Sequence, residues 1–282
     1  MPSDLLVPLD GSKAAENVLP VAATLSAAYD MRIRFLEAVD TTQHGPTGSP
    51  DPSRASELFG RYAEELAARH ALNRGSWYAT VIAGNPADVI LGAAEQAGMI
   101  ALATHGHGGF RAAVLGSVAD RVVRGTSVPI VVVPATGEAA QIGPGPIVIA
   151  FDGSAESARA LTAGREAAAR LHREVLLLQA YSPALPAATG EGVDREPNIL
   201  KEIEAGVHAS LDAVAAVGEK MRALRGPTVD IIVNTAESVD AALLVVASSR
   251  KGAAKRLTIG STTNSLLHSY RRPMLVVPRP FA

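Results

Sequence analysis

The chain has 282 residues, enough for two domains of ordinary size, each with a core of its own. Its 26 basic and 28 acidic residues leave a formal net charge of −2, which gives no electrostatic pull toward nucleic acid or an anionic membrane surface. The absence of cysteine excludes disulfides, thiolate metal sites and thiol nucleophiles, and no leader-like start or membrane-length apolar run occurs, so a cytoplasmic protein is expected.

In chain order, the first strand candidate is "LLVPL", followed by Asp10-Gly11-Ser12. Next comes the helical pattern "SKAAENVLPVAATLSAAY", with Ser12 as N-cap and Val18, Val21, Ala22 and Leu25 on one face. "IRFLEAV" is the second strand, and the Pro- and Gly-rich stretch "DTTQHGPTGSPDPSRAS" (40–56) reads as a loop near a site entrance. "YATVIA" and "MIALAT" are the third and fourth strands, "SVADRVVRG" is a helical run and "PIVVVP" is the last strand. Strand and helix in alternation imply a parallel sheet covered on both faces, and the nearly all-apolar strands agree with that burial. Ligands in such sheets sit beyond the carboxyl ends of the strands, where strand order reverses. Asp10 and the glycine-rich loop after "MIALAT" both belong on that edge.

The pattern then repeats. "LLVPLDGS" returns as "IVIAFDGS", placing Asp152 142 residues after Asp10, and "LGSVADRVVRGTSVPIVVVP" returns as "IGSTTNSLLHSYRRPMLVVP", with Gly260 144 residues after Gly116. A linker, "ATGEAAQIGPGP", separates the copies, giving domains 1–138 and 144–282 with a boundary near Gly143. The second copy lacks a counterpart to "GNPADVIL", because "VDIIVNT" runs almost directly into "AESVDAALLVVAS"; the helix before that strand is expected to be about two turns shorter. "YSPALPAATGEGVDREPN" (181–198) is the second copy's loop beside the site.

The loop "ATHGHGGFRAAVLGS" (103–117) carries the chemistry. Its glycines and the helix start at Gly116-Ser117 suit a backbone cradle for phosphate oxygens, or else simply a tight strand-to-helix turn. GxxxxGK[ST] is absent, and "GHGGFR" fails GxGxxG at its last position. His105 and His107 have no second cluster of ligands near them in sequence, so no metal site is expected there. Asp10 and Asp152 suit either ligand contact or the acid-favouring start of a helix. No residue is assigned as catalytic.

"VPLDGS", "ATHGHGGFRAAVLGSV" and "VPIVVVP" together resemble the universal stress protein family in its nucleotide-binding branch, and the duplication resembles its tandem members, over nearly the whole chain. The resemblance implies an α/β fold of two Rossmann-like domains of the adenine nucleotide alpha hydrolase-like type. Each would be a five-stranded parallel sheet flanked by helices, and the two would pack as a pseudo-dimer through their last strands. It also implies ATP, or ADP or AMP, at the carboxyl edge, with Mg entering only through the phosphates. By position, Asp10 and the backbone of Ala38 would hold the adenosine end, while Gly106, Gly116 and Ser117 would hold ribose and phosphates. Pro8, Ala103, His105, His107, Gly108 and Val118 complete that nucleotide-binding set. The branch's Gly-x2-Gly-x9-Gly-Ser/Thr reads here as Ala103, Gly106, Gly116 and Ser117, one substitution from the pattern. In the second copy it reads Ala247, Arg250, Gly260 and Ser261; with Asp152 and Ala180 these outline a weaker second site, in which bulky side chains replace glycines. Arg250, Lys251, Lys255 and Arg256 there either grip phosphate by charge or are simply solvated. The implied function is a stress-response regulator that binds adenine nucleotide. A slow ATPase or phosphoryl-transfer enzyme and a nucleotide-free interaction scaffold are the alternatives, and a further homodimer of the tandem chain stays open.

Overall fold

The structure, a computed structural model, describes residues 4–39, 52–104, 115–135, 140–182, 196–248 and 259–279. The first repeat runs β1 (Asp4–Pro8), α1 (Lys13–Glu16), α2 (Leu19–Tyr29), β2 (Ile33–Val39), α3 (Pro52–Arg69), β3 (Trp77–Ala83), α4 (Pro86–Ala94), β4 (Ala97–Ala103), α5 (Ser117–Gly125) and β5 (Ile130–Val133). The second runs β6 (Ile147–Ala150), α6 (Ala155–Leu171), β7 (Val175–Tyr181), α7 (Glu196–Asp212), β8 (Lys220–Arg225), α8 (Thr228–Ser238), β9 (Leu243–Ala247), α9 (Ser261–Ser269) and β10 (Met274–Val277).

By compactness the chain forms two units that cut across the repeats: residues 1–142 with 248–282, and residues 143–247. In the first unit the strand order is β3-β2-β1-β4-β5, with every neighbouring pair parallel. β10 then adds antiparallel to β5, pairing Met274 with Val132 and Val276 with Ile130. The terminal strands "PIVVVP" and "PMLVVP" therefore lie side by side, as the resemblance implies, and β10 covers an apolar edge: Ile130, Val131, Val132 and Val133 are at most 2 % exposed. The second unit carries β9-β6-β7-β8, again with parallel neighbours.

Burial follows chemistry. β1, β4 and β6 are apolar and almost wholly enclosed, as central strands of a two-faced parallel sheet must be. In α3, Ala55, Phe59, Ala63 and Leu66 recur at helical spacing and are each at most 1 % exposed.

Three sequence readings need correction. The helix expected from Ser12 onward is two helices, because Pro20 has no N–H to give the Glu16 carbonyl; the ladder stops at Asn17 and restarts at Leu19. Val18, Val21, Ala22 and Leu25 nevertheless all face the core. Residues 52–56, read as loop, open α3, while 196–198 open α7 and Tyr181 ends β7; the rest of both loop readings lies outside the described residues.

The third correction is larger. "VDIIVNT" lies within helix α8, and "GPTVDIIV" is the counterpart of "GNPADVIL" after all. Gly84 and Gly226 leave their strands with φ of 145° and 149°, a region open to glycine; Pro86 is then the first residue of α4 and Pro227 the N-cap of α8. α8, with 11 residues, is no shorter than α4, with 9. The strand of this repeat is instead "KMRALR", whose basic residues hide it from an apolar-run search.

Candidate functional site

Strand order reverses between β1 and β4, so the crevice that such a reversal opens lies beyond Pro8 on one side and Ala103 on the other. Beyond β1 the chain turns through Gly11, whose φ of 76° is a left-handed value. Asp10 closes the turn: its Oδ1 accepts from the Ser12 amide at 3.0 Å and from the Ser12 hydroxyl at 2.6 Å. The Ser12 Oγ in turn accepts from the Ala15 amide at 3.1 Å, capping α1 as expected. Asp10 thus builds the turn and presents a half-buried carboxylate at the strand end.

Ala38, one strand over, sits opposite Ile82 near the end of β2, and the Gly84 amide donates to the Val39 carbonyl at 2.9 Å. On the far side of the crevice, Ala103 ends β4 opposite Val133 and is 5 % exposed. The Thr104 amide donates to the Val133 carbonyl and the Gly116 amide to the Thr104 carbonyl, both at 2.8 Å, so the two ends of the glycine loop are pinned together. His105, Gly106, His107 and Gly108 lie outside the described residues.

Gly116 is the N-cap of α5, with φ of −61° and ψ of 153°, and Ser117 is exposed at the helix start beside Val118. The backbone there would accept any residue, so its conformation does not call for glycine at 116. First-turn amides of a helix have no partner in its own ladder, and together with the dipole they favour an anion.

A neighbouring group escaped the sequence reading. Glu16, on α1, accepts from the Tyr62 hydroxyl at 3.1 Å, from Arg69 Nη1 at 2.6 Å and from Lys13 Nζ at 3.1 Å. Burial, and then the charges of Glu16 and Asp10, push the Tyr62 phenol above its ordinary range. The spacing of Tyr62 and Arg69, two turns apart on α3, was the available signal, but their acceptor lies 46 and 53 residues away in sequence.

The second repeat copies the described parts of this edge. Asp152 Oδ1 accepts from the Ser154 amide at 3.0 Å and hydroxyl at 2.5 Å, Gly153 has φ of 80°, and Ser154 Oγ accepts from the Ser157 amide at 3.1 Å. Burial works against ionisation of Asp152, yet the bonds from Ser154 prevail and hold its carboxyl below the ordinary value. Ala180 sits opposite Leu224 and Ala247 ends β9. Gly260 caps α9 with φ of −59° and ψ of 146°, followed by exposed Ser261. Arg250 lies outside the described residues, as do Lys251, Lys255 and Arg256. The repeats still differ: Asp152 is exposed where Asp10 is half-buried, Ala158 stands 142 positions after Glu16, and α7 contains neither tyrosine nor arginine.

Among the described residues no three His, Asp or Glu side chains group as metal ligands, and no helix is long and apolar enough to cross a membrane.

The sequence model of the universal stress protein family matches residues 1–134 and again 145–278. Universal stress proteins of Mycobacterium tuberculosis and Mycobacterium bovis are 26 % identical over 203 residues, covering 70 % of this chain and 67 % of theirs. Among solved structures, a universal stress protein from Archaeoglobus fulgidus superposes with a TM-score of 0.68 at 20 % identity, covering 98 % of both chains. A functionally unknown protein from Pseudomonas aeruginosa superposes at 0.70 with 17 % identity, over 99 % of this chain and 93 % of its own. These two likenesses carry the tandem fold.

Proposed function

The chain belongs to the universal stress protein family, and from that premise we propose that its first repeat binds ATP or a related adenine nucleotide and that the chain acts as a nucleotide-dependent regulator in a stress response. The observation that carries the reading is the pairing, across the β1/β4 reversal, of a carboxylate acceptor with a glycine-capped helix start. Asp10 offers acceptor atoms for a hydroxyl or amine of the adenosine end. The amides at Ser117 and Val118, with the Ser117 hydroxyl, offer donors for phosphate oxygens, and Mg2+ would arrive on those phosphates rather than on a protein ligand set. Ala38 and Pro8 supply backbone walls, and His105 and Gly106 of the glycine loop are assigned to the phosphates by their place in the sequence.

We assign one nucleotide per chain, to the first repeat. Residues 106, 108 and 109 are glycines with no side chain to compete with a phosphate, where the second loop carries Arg250 and Lys251. Isothermal titration with ATP, ADP and AMP tests this. Micromolar binding, near −8 kcal/mol, implies that ATP at about a hundredfold excess over its Kd raises stability by roughly 2.7 kcal/mol. Gly116→Val should remove most of that gain, Asp10→Ala should weaken it, and Gly260→Val should leave it nearly intact. Two equivalent sites, or a response lost in Gly260→Val but kept in Gly116→Val, would reverse the assignment. No binding of any of the three nucleotides would leave a scaffold.

A further inference from the structure

The two outermost strands of the fold hold the same place in their repeats, yet they meet solvent differently. β3 is half-buried along nearly its whole length, whereas Lys220, Met221, Arg222 and Arg225 of β8 are exposed. Among the described residues, the exposed large apolar side chains are Val217, in the turn leading into β8, and Met221, four positions later on the strand. Both stand at the head of the outermost strand of their unit, where a strand added to the open edge would reach them.

The backbone of β8 is open as well. Among the described residues it pairs only with β7. The Gly226 amide donates inward, to the Tyr181 carbonyl at 3.0 Å. Amides alternate sides along a strand, so Met221, Ala223 and Arg225 turn their N–H and C=O groups outward. Lysines and arginines often guard such an edge, but a guarded edge has no use for Met221. The charge here is also uncompensated. Lys220 is paired with Glu174 at 2.7 Å, while among the described residues Arg222 and Arg225 have no carboxylate within ion-pair distance.

We propose that β8 is a docking edge for an acidic, extended segment of a partner protein, which adds a strand beside Met221, Ala223 and Arg225. Main-chain bonds to those three residues would give affinity, an apolar side chain would cover Met221, and carboxylates would meet Arg225 four positions on along the same face and Arg222 on the opposite face. A second copy of this chain fits poorly, because two β8 strands edge to edge would bring Lys220, Arg222 and Arg225 of both copies together. A nucleic acid would satisfy the arginines but not the outward amides or Met221.

The probe is a dye-labelled peptide, Glu-Thr-Thr-Glu-Val-Glu-Thr-Thr-Glu flanked by Gly-Ser, which in either direction sets Val opposite Met221 and Glu opposite Arg222 and Arg225, titrated onto the full chain and followed by fluorescence anisotropy. Saturable binding should weaken by at least about tenfold, or 1.4 kcal/mol, when alternate peptide nitrogens are methylated, a change that leaves the protein untouched. The double variant Arg222→Glu, Arg225→Glu, with an unchanged urea midpoint, should weaken it comparably, and bound peptide should slow hydrogen exchange at Met221, Ala223 and Arg225. Binding indifferent to N-methylation, equal competition by a uridine oligonucleotide of the same charge, or no saturable binding would overturn the proposal. So would sedimentation showing a dimer that Met221→Asp takes apart.

Discussion

Asp10 and Asp152, 142 positions apart, fold their carboxylates back onto the second residue after them, so each belongs first to its own turn and only then to any ligand. That turn explains why an acid, a glycine and a serine recur together. The glycine supplies a left-handed φ, the serine caps a helix, and the acid fixes the serine. It also makes the acid testable without a nucleotide. Asp152 binds its proton less tightly in the folded chain than in the unfolded one, so its contribution is present above its ordinary value of 3.8 and fades as the pH falls through the lower folded value. Asp152→Ala should therefore lower the urea midpoint at pH 7, and the gap from wild type should narrow steadily below about pH 4. A gap that stays constant from pH 7 to pH 3 would mean that the carboxylate's charge plays no part in the turn.

At the scale of elements, the first repeat is distinguished by the way α3 is fastened. Glu16 has a side chain only 11 % exposed and gathers Tyr62, Arg69 and Lys13 around one carboxylate, tying the helix after the Asp10 turn to α3. Glu16→Ala would leave the half-buried Tyr62 hydroxyl and the Arg69 guanidinium without that acceptor. The expected cost is about 1–2 kcal/mol by chemical unfolding. Nucleotide affinity should fall with it if the turn shifts; a variant as stable as wild type would remove the network from the account. Such ties are illegible in sequence because they join residues brought together only by packing. What could be read was what repeats locally. The apolar strands "LLVPL", "IRFLEAV" and "MIALAT" and the Ser12 cap were all visible in short windows. Two misreadings have definite causes. Pro20 sits where a continuous helix would need its N–H, and "VDIIV" has strand-like β-branching yet follows a Gly-Pro start, in a helix, α8, that buries Ile232, Thr235 and Ala236 at helical spacing. At the site, the Asp10 turn and the Gly116 cap were legible for the same local reason, whereas Tyr62, reached only through the fold, was not.

For the whole molecule, the sequence repeat and the compact unit are different divisions of the chain. The first unit is completed from the far end of the sequence, by α9 and β10, and the junction is more than a strand ladder: Arg124 holds Asp120 of its own helix and donates to Asn264 Oδ1 at 2.8 Å. Asn264 lies 144 positions after Asp120, so the second repeat offers a neutral amide where the first carries an acid. Arg124 thus has its own carboxylate beside it and a neutral acceptor across the junction. A fragment of residues 1–142 would lose β10 and bare the edge of β5, whose residues are at most 2 % exposed in the full chain. An apolar edge of that kind recruits the nearest complementary strand, and in solution the nearest one is β5 of another fragment. Each Arg124 would then face an aspartate where Asn264 now stands, adding an attraction that salt screens. The fragment is expected to sediment as a dimer, looser at 1 M than at 0.1 M salt, while the full chain shows no such salt-sensitive association through this edge. A fragment that stays monomeric and soluble at high micromolar concentration would show that β10 completes the sheet without being needed to cover it.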